Sequence, residues 1–206
     1  MLAVVGAAWG FVADRIGARW PAHEDRSIRP IDWRTPVSVV VGAVSLALVP
    51  VRFPDDVAAQ LIFGAYVVAL VLLLATDLDQ RLLPNEITLP AIPLAFLVSL
   101  LGFNPLVPPS VLPVAAVVAV VIPGLLWLLA KPFGAGAIGQ GDLKLLVSVG
   151  LLAGPLRLFS GVVYGALLAG VVILVLLALR RITLKTFIPF GPFLIIGALW
   201  AILVLK

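Results

Sequence analysis

The sequence predicts an all-α, polytopic membrane helix bundle with about seven to eight transmembrane segments, and three observations carry that prediction. Hydrophobic residues make up 63% of the 206 and charged residues 12%, with a mean hydropathy of +1.23, a balance that cannot present a polar surface to water. Apolar runs recur along the whole chain, and because a hydrocarbon core of about 30 Å takes roughly 20 helical residues to cross, spans use up most of its length. Cysteine is absent and His23 is the only histidine, which excludes disulfides, thiol catalysis and thiolate zinc sites and leaves no metal-ligand set.

Breakers divide the chain into eight apolar segments at 2–13, 36–51, 57–76, 86–103, 110–130, 143–154, 158–179 and 188–205. The first is short, and with its amphipathic continuation past Asp14 it can cross if tilted. No basic residue precedes it and no small-residue cleavage pattern follows, so it reads as a retained helix and not as a signal peptide. Residues 14–35 form a mixed-charge loop with Trp20 and Trp33 placed for the interface. The third segment runs directly into Asp77, and Pro84-Asn85 turns the chain into the fourth. The sixth, opened by Asp142, is also short and rises only part of the way through the bilayer, which is tolerable where protein or a water-filled cavity surrounds its end. The expected division is an N-terminal helix and short cytoplasmic loop over 1–35, followed by a transmembrane core over 36–206.

Orientation follows from the loops. Eleven of the fourteen basic residues fall in odd-numbered connections, and only Arg52, Arg157 and Lys206 fall on the other side. The odd connections are therefore cytoplasmic and the N-terminus outside. The same bias accounts for the net charge of +4 without a nucleic-acid surface.

Two complete spans separate Asp77 from Asp142, so both aspartates return to the cytoplasmic side; their lateral proximity is not readable. Ionisable groups at the membrane edge are costly and point to function. Two carboxylates brought together share a proton, so that one can activate water while the other protonates a carbonyl. That chemistry hydrolyses a peptide bond without a metal. Against it stand plainer readings: Asp142 as the cap of the sixth helix, Asp77 and Asp79 as solvated charges ending the third, or a proton- or cation-coupled transporter built on the same acids.

Three stretches carry a resemblance. "DLDQRLLPNEITLP" holds Asp77 seven residues before Pro84, with Asn85 next and Asp79 and Glu86 nearby; "GQGDLKLL" holds Gly139, Gly141, Asp142 and Lys144; "IPFGPFLIIGAL" holds Pro189, Phe190, Gly191 and Pro192. In this order they resemble the motifs of the bacterial type IV prepilin peptidases, Gly-x-Gly-Asp intramembrane aspartic proteases. A lone Gly-x-Gly-Asp also occurs in presenilins and signal peptide peptidases, so it is the set of three over residues 57–206 that is specific. The resemblance implies a multi-pass enzyme of the cytoplasmic (inner) membrane with Asp77 and Asp142 catalytic. It would remove the basic leader of prepilin-like or pseudopilin substrates at the cytoplasmic face. Asp14, Glu24, Asp25, Asp79 and Glu86 are candidate partners for leader charges. Glycines 134, 136, 139 and 141 would leave room for a substrate strand beside Asp142, and Lys144, one helical step away, reads as a side chain snorkelling to the interface. Proteolysis would need no cofactor. Fuller members of the family carry two Cys-x-x-Cys pairs after the first helix, associated with zinc and N-methylation. Here that loop is short and cysteine-free, so the resemblance allows methylation with S-adenosylmethionine without requiring it.

Overall fold

Every long apolar run has become a helix, as backbone groups without water require. The protein is described from a computed structural model covering residues 1–21, 28–133, 138–183 and 189–205. The helices are α1 (Leu2–Gly17), α2 (Arg34–Arg52), α3 (Val57–Gln80), α4 (Asn85–Leu100), α5 (Leu112–Ala130), α6 (Gln140–Ala153), α7 (Pro155–Ala178) and α8 (Gly191–Leu203), with a 3₁₀ turn at Lys131–Phe133. No strand occurs among the described residues. The chain is an all-α, multi-pass membrane bundle. Four of its helices, α2, α3, α5 and α7, are long and apolar enough to cross a membrane, and α4 and α8 are shorter apolar helices.

Helices in lipid gain nothing from leaving it, so association depends on close packing and internal polar contacts. Two crossings show the first device. Gly6 and Gly10 of α1 meet the backbone of α2 at Gly42 and Ser38 so closely that an added Cβ would collide with it, and Gly161 and Gly165 of α7 meet α8 around Gly197 and Phe193 in the same way. Both are small-residue crossings of the Gly-x-x-x-Gly kind. The α1–α2 pair packs on α3, and α8 links α3 to α7 and α6.

The short α6 sits at the centre, against α4, α5, α7 and α8, and buries Leu145, Leu146 and Val149. At 14 residues it rises about 21 Å, less than a bilayer core. Its C-terminal carbonyls are met by protein: Ser99 Oγ donates to Leu151 O (3.1 Å) and Asn104 Nδ2 to Leu152 O (2.8 Å). These satisfy acceptors that a helix end leaves open. Gly154, at φ +87°, then turns the chain directly into α7.

The first helix runs further than its apolar segment, to Gly17, because Asp14 is not a loop charge. It is fully buried, accepts from Thr35 Oγ1 (2.7 Å), and pairs with Arg15 (2.5 Å) and with Arg29. Arg29 also pairs with Asp32 and reaches Asp79 at 2.6 Å, while Arg34 pairs with Asp79 at 3.0 Å. Burial opposes the Arg29 charge, but the surrounding carboxylates outweigh it and hold its pKa above the ordinary arginine value. The loop after α1 is thereby tied to the end of α3 that carries Asp77.

Candidate active site

Asp77 lies in the last turn of α3 and is 4% exposed. The helix stops at Arg81, which is left-handed (φ 57°) and donates its N–H to Asp77 O at 2.9 Å. Leu82 and Leu83 follow, and Pro84, with its ring-fixed φ of −58°, caps α4. Leu83 folds back onto α6, where a Cβ on Gly141 would stand 2.7 Å from the Leu83 Cβ. The gap at Gly141 is therefore filled by Leu83 and is not left for a substrate strand.

Asp142 sits within the first turn of α6, 8% exposed. The cap itself is Gly139, extended at φ −67° and ψ 142°, and the Asp142 carboxylate lies against it, with Oδ2 3.2 Å from where a Cβ on Gly139 would sit. The helix N-terminus favours an anion there. Asp142 is thus not the N-cap that a plain structural reading of the sequence offered.

The Pro189–Pro192 stretch brings a third element to the two acids. Phe190 caps α8 and packs against the core, and buried Gly191 opens the helix. Asp77 Oδ2 and Asp142 Oδ1 both lie within 3.0 Å of the point where a Cβ on Gly191 would sit. Only glycine lets the start of α8 approach both acids this closely. Asp77 Oδ2 has no hydrogen-bond partner among the described residues. A cavity of about 270 Å³ opens at this point, bordered by Asp77, Arg81, Asn85, Gly139, Asp142 and Lys144. Two buried carboxylates on one cavity can share a proton and so supply a base and an acid to the same bound group.

The other residues singled out in the sequence are placed around this pair. Lys144 Nζ donates to Asn85 Oδ1 at 2.7 Å, tying α6 to the first residue of α4. Glu86 is exposed in the first turn of α4. The Asp79 side chain is 2% exposed and paired with Arg29 and Arg34, and Asp14 is enclosed in the same network, so neither is a free acid awaiting a leader. Glu24, Asp25, His23, Gly134 and Gly136 lie outside the described residues. Among those described, no group of three or more potential metal ligands occurs. Arg29 and Thr35 were not singled out, because nothing in a mixed-charge loop tells which arginine folds back. Tyr66 and Ser148, hydrogen-bonded at 2.8 Å between α3 and α6, were hidden in apolar runs.

The type IV leader peptidase family matches residues 64–178, a stretch that begins in α3, ends in α7 and includes both aspartates. Three proteins named "Prepilin leader peptidase/N-methyltransferase" are similar to this chain. The one from Pseudomonas putida is 36% identical over 155 residues, covering 68% of this chain and 52% of the relative. That from Burkholderia pseudomallei is 31% identical over 188 residues, covering 88% and 53%. The one from Xanthomonas campestris is 32% identical over 142 residues, covering 68% and 49%. The chain spans about half the length of these curated relatives. No solved structure matches it. With more than half of the chain matched, and both candidate acids inside the match, the protein belongs to the type IV leader peptidase family.

Proposed function

We propose that the protein is a membrane-embedded aspartic endopeptidase that removes the basic leader from type IV prepilin-like proteins at the cytoplasmic face of the inner membrane. The observation that carries this is the convergence of Asp77 and Asp142 on Gly191 beside one cavity. The names of the relatives supply the substrate class, and the basic loops at this end of the bundle agree with the cytoplasmic side. In the reaction, the ionised member of the pair takes a proton from water as the oxygen attacks the scissile carbonyl carbon. The protonated member donates to the carbonyl oxygen. Collapse of the tetrahedral adduct breaks the C–N bond as the newly protonated acid gives its proton to the leaving nitrogen and the other carboxylate takes one from an adduct hydroxyl, so the pair is again singly protonated. Residues 36–206 would form the catalytic core and 1–35 its clasped N-terminal element.

The second activity in the relatives' names implies S-adenosylmethionine. A cavity of about 380 Å³ beside the same end, bordered by Trp33, Arg34, Asp79 and Arg81, would offer such a cofactor the aromatic face of Trp33; the Asp79 carboxylate there is already paired with Arg29 and Arg34. Bound there, the cofactor would supply the methyl group for a new N-terminus. The test of the proteolytic reading is incubation of the purified protein in detergent with a panel of prepilin-like substrates. Cleavage after the leader is expected, and failure to cut any of them would refute it.

A further inference from the structure

One feature of the bundle lies outside the candidate acids but leads to them. α4 packs on α6, and α3 packs on α1, α2 and α8, which leaves a slot between α3 and α4. The slot is an apolar groove of about 420 Å³. Ile62, Ala65, Tyr66 and Ala69 form its α3 wall, spaced by three and four so that they share a helix face. Pro90, Ala91, Leu94 and Val98 form the α4 wall, and Glu86 stands at its end. Leu152 of α6 also lines it, and the Tyr66–Ser148 hydrogen bond joins its α3 wall to α6.

We infer that this groove receives the apolar helix of the substrate and delivers the bond to be cut to Asp77 and Asp142; the inference rests on the proteolytic reading above. Four observations favour a peptide helix over a lipid chain. The groove ends at Glu86, next in sequence to Asn85, which borders the cavity of the two acids. From Glu86 to Val98 the α4 wall runs about 18 Å along the helix axis, enough for roughly a dozen residues of a second helix. Ala65, Ala69 and Ala91 are small, so a helix backbone can approach closely. The exposed carboxylate of Glu86 attracts a basic leader and repels a phosphate headgroup. In addition, Pro90 has no amide hydrogen and gives the Glu86 carbonyl no i→i+4 donor, which leaves a backbone acceptor beside the site. A second apolar groove, of about 230 Å³ between α2 and α8, includes Val40, Val44 and Trp200 and has no ionisable residue in its lining; it serves as the control.

The experiment places a photo-crosslinking phenylalanine analogue at Ala65, Ala91 or Val44 in the full chain, reconstituted in phospholipid vesicles with a prepilin-like substrate. Adducts from Ala65 and Ala91 should map to the apolar segment of the substrate, and those from Val44 to phospholipid. In parallel, Ala65→Phe and Ala91→Phe should each lower kcat/KM about tenfold or more by filling the groove, while Val44→Phe keeps the parent value. Adducts from Ala65 and Ala91 to phospholipid alone, or to a second copy of this chain, would overturn the inference. So would parental kcat/KM in both filled variants. Crosslinking needs no turnover, so it remains decisive if a filled variant folds poorly. A parent protein that cuts nothing fails the proteolytic reading itself, whatever the adducts show.

Discussion

Replacing Gly191 by alanine tests the geometry of the site with one methyl group. The new Cβ would stand 2.8 Å from Asp77 Cγ and 3.0 Å from Asp142 Oδ1, whereas unstrained carbon contacts lie at about 3.5–4.0 Å. Something must therefore move by roughly 0.7 Å or more. Both carboxylates lie at helix ends already pinned, Asp77 through the Arg81 turn and Asp142 through Gly139, so the shift separates the pair or tilts the start of α8. Misplacement on the order of 1 Å costs about 100-fold in rate, and overpacking costs about 1–3 kcal/mol in stability. Gly191→Ala is expected to lose between about 10-fold and 100-fold in kcat/KM, measured by gel-resolved cleavage of a prepilin-like substrate, with thermal unfolding followed on the same detergent preparation. Gly170→Ala is the control. A Cβ there meets nothing within 4 Å, and inside α7 it should be neutral or stabilising by up to about 1 kcal/mol. A Gly191→Ala protein that cuts at the parent rate would refute the placement of both acids against α8.

Asp79→Asn removes one carboxylate from the Arg29 and Arg34 pairs while Asp14 and Asp32 remain, and should cost about 2 kcal/mol, seen as a lower unfolding temperature with much of the cleavage rate kept below that temperature. Chelators should leave cleavage unchanged; activity lost to a chelator and restored by metal would contradict a reaction run by two carboxylates. The new N-terminus of the cleaved product should acquire a methyl group when S-adenosylmethionine is added, detected by mass spectrometry. An unmodified terminus after complete cleavage would limit the chain to proteolysis.

Much of the fold was legible because hydropathy and breakers act locally. All eight apolar segments are helices, and Pro84, Gly139 and Gly141 fall where helices begin. The common end for Asp77 and Asp142 followed from counting spans. Their convergence did not, because both acids pack against the start of α8 at Gly191, and no periodicity in an apolar helix marks such a contact. The contacts of Gly141 and Lys144 were not legible for a related reason: the partners, Leu83 and Asn85, lie about sixty residues away in the sequence. Asp14 read as a candidate partner for leader charges because five arginines scattered over residues 15–34 do not show which of them will pair with it. The Gly6, Gly10 and Gly42 crossing was present as spacing, but a composition this apolar hides a packing signal within a solvent signal.

The most direct test of the central claim compares cleavage by Asp77→Asn and Asp142→Asn with the parent. Asparagine preserves shape and hydrogen-bond acceptance but cannot trade the shared proton, so a purely structural role would tolerate it. Each variant should insert and unfold like the parent yet show no cleavage of a prepilin-like substrate, and the double variant should be no worse, as expected of groups acting as one unit. Cleavage by either variant at a rate close to the parent, or an essential Asp79 beside a dispensable Asp77, would contradict the assignment.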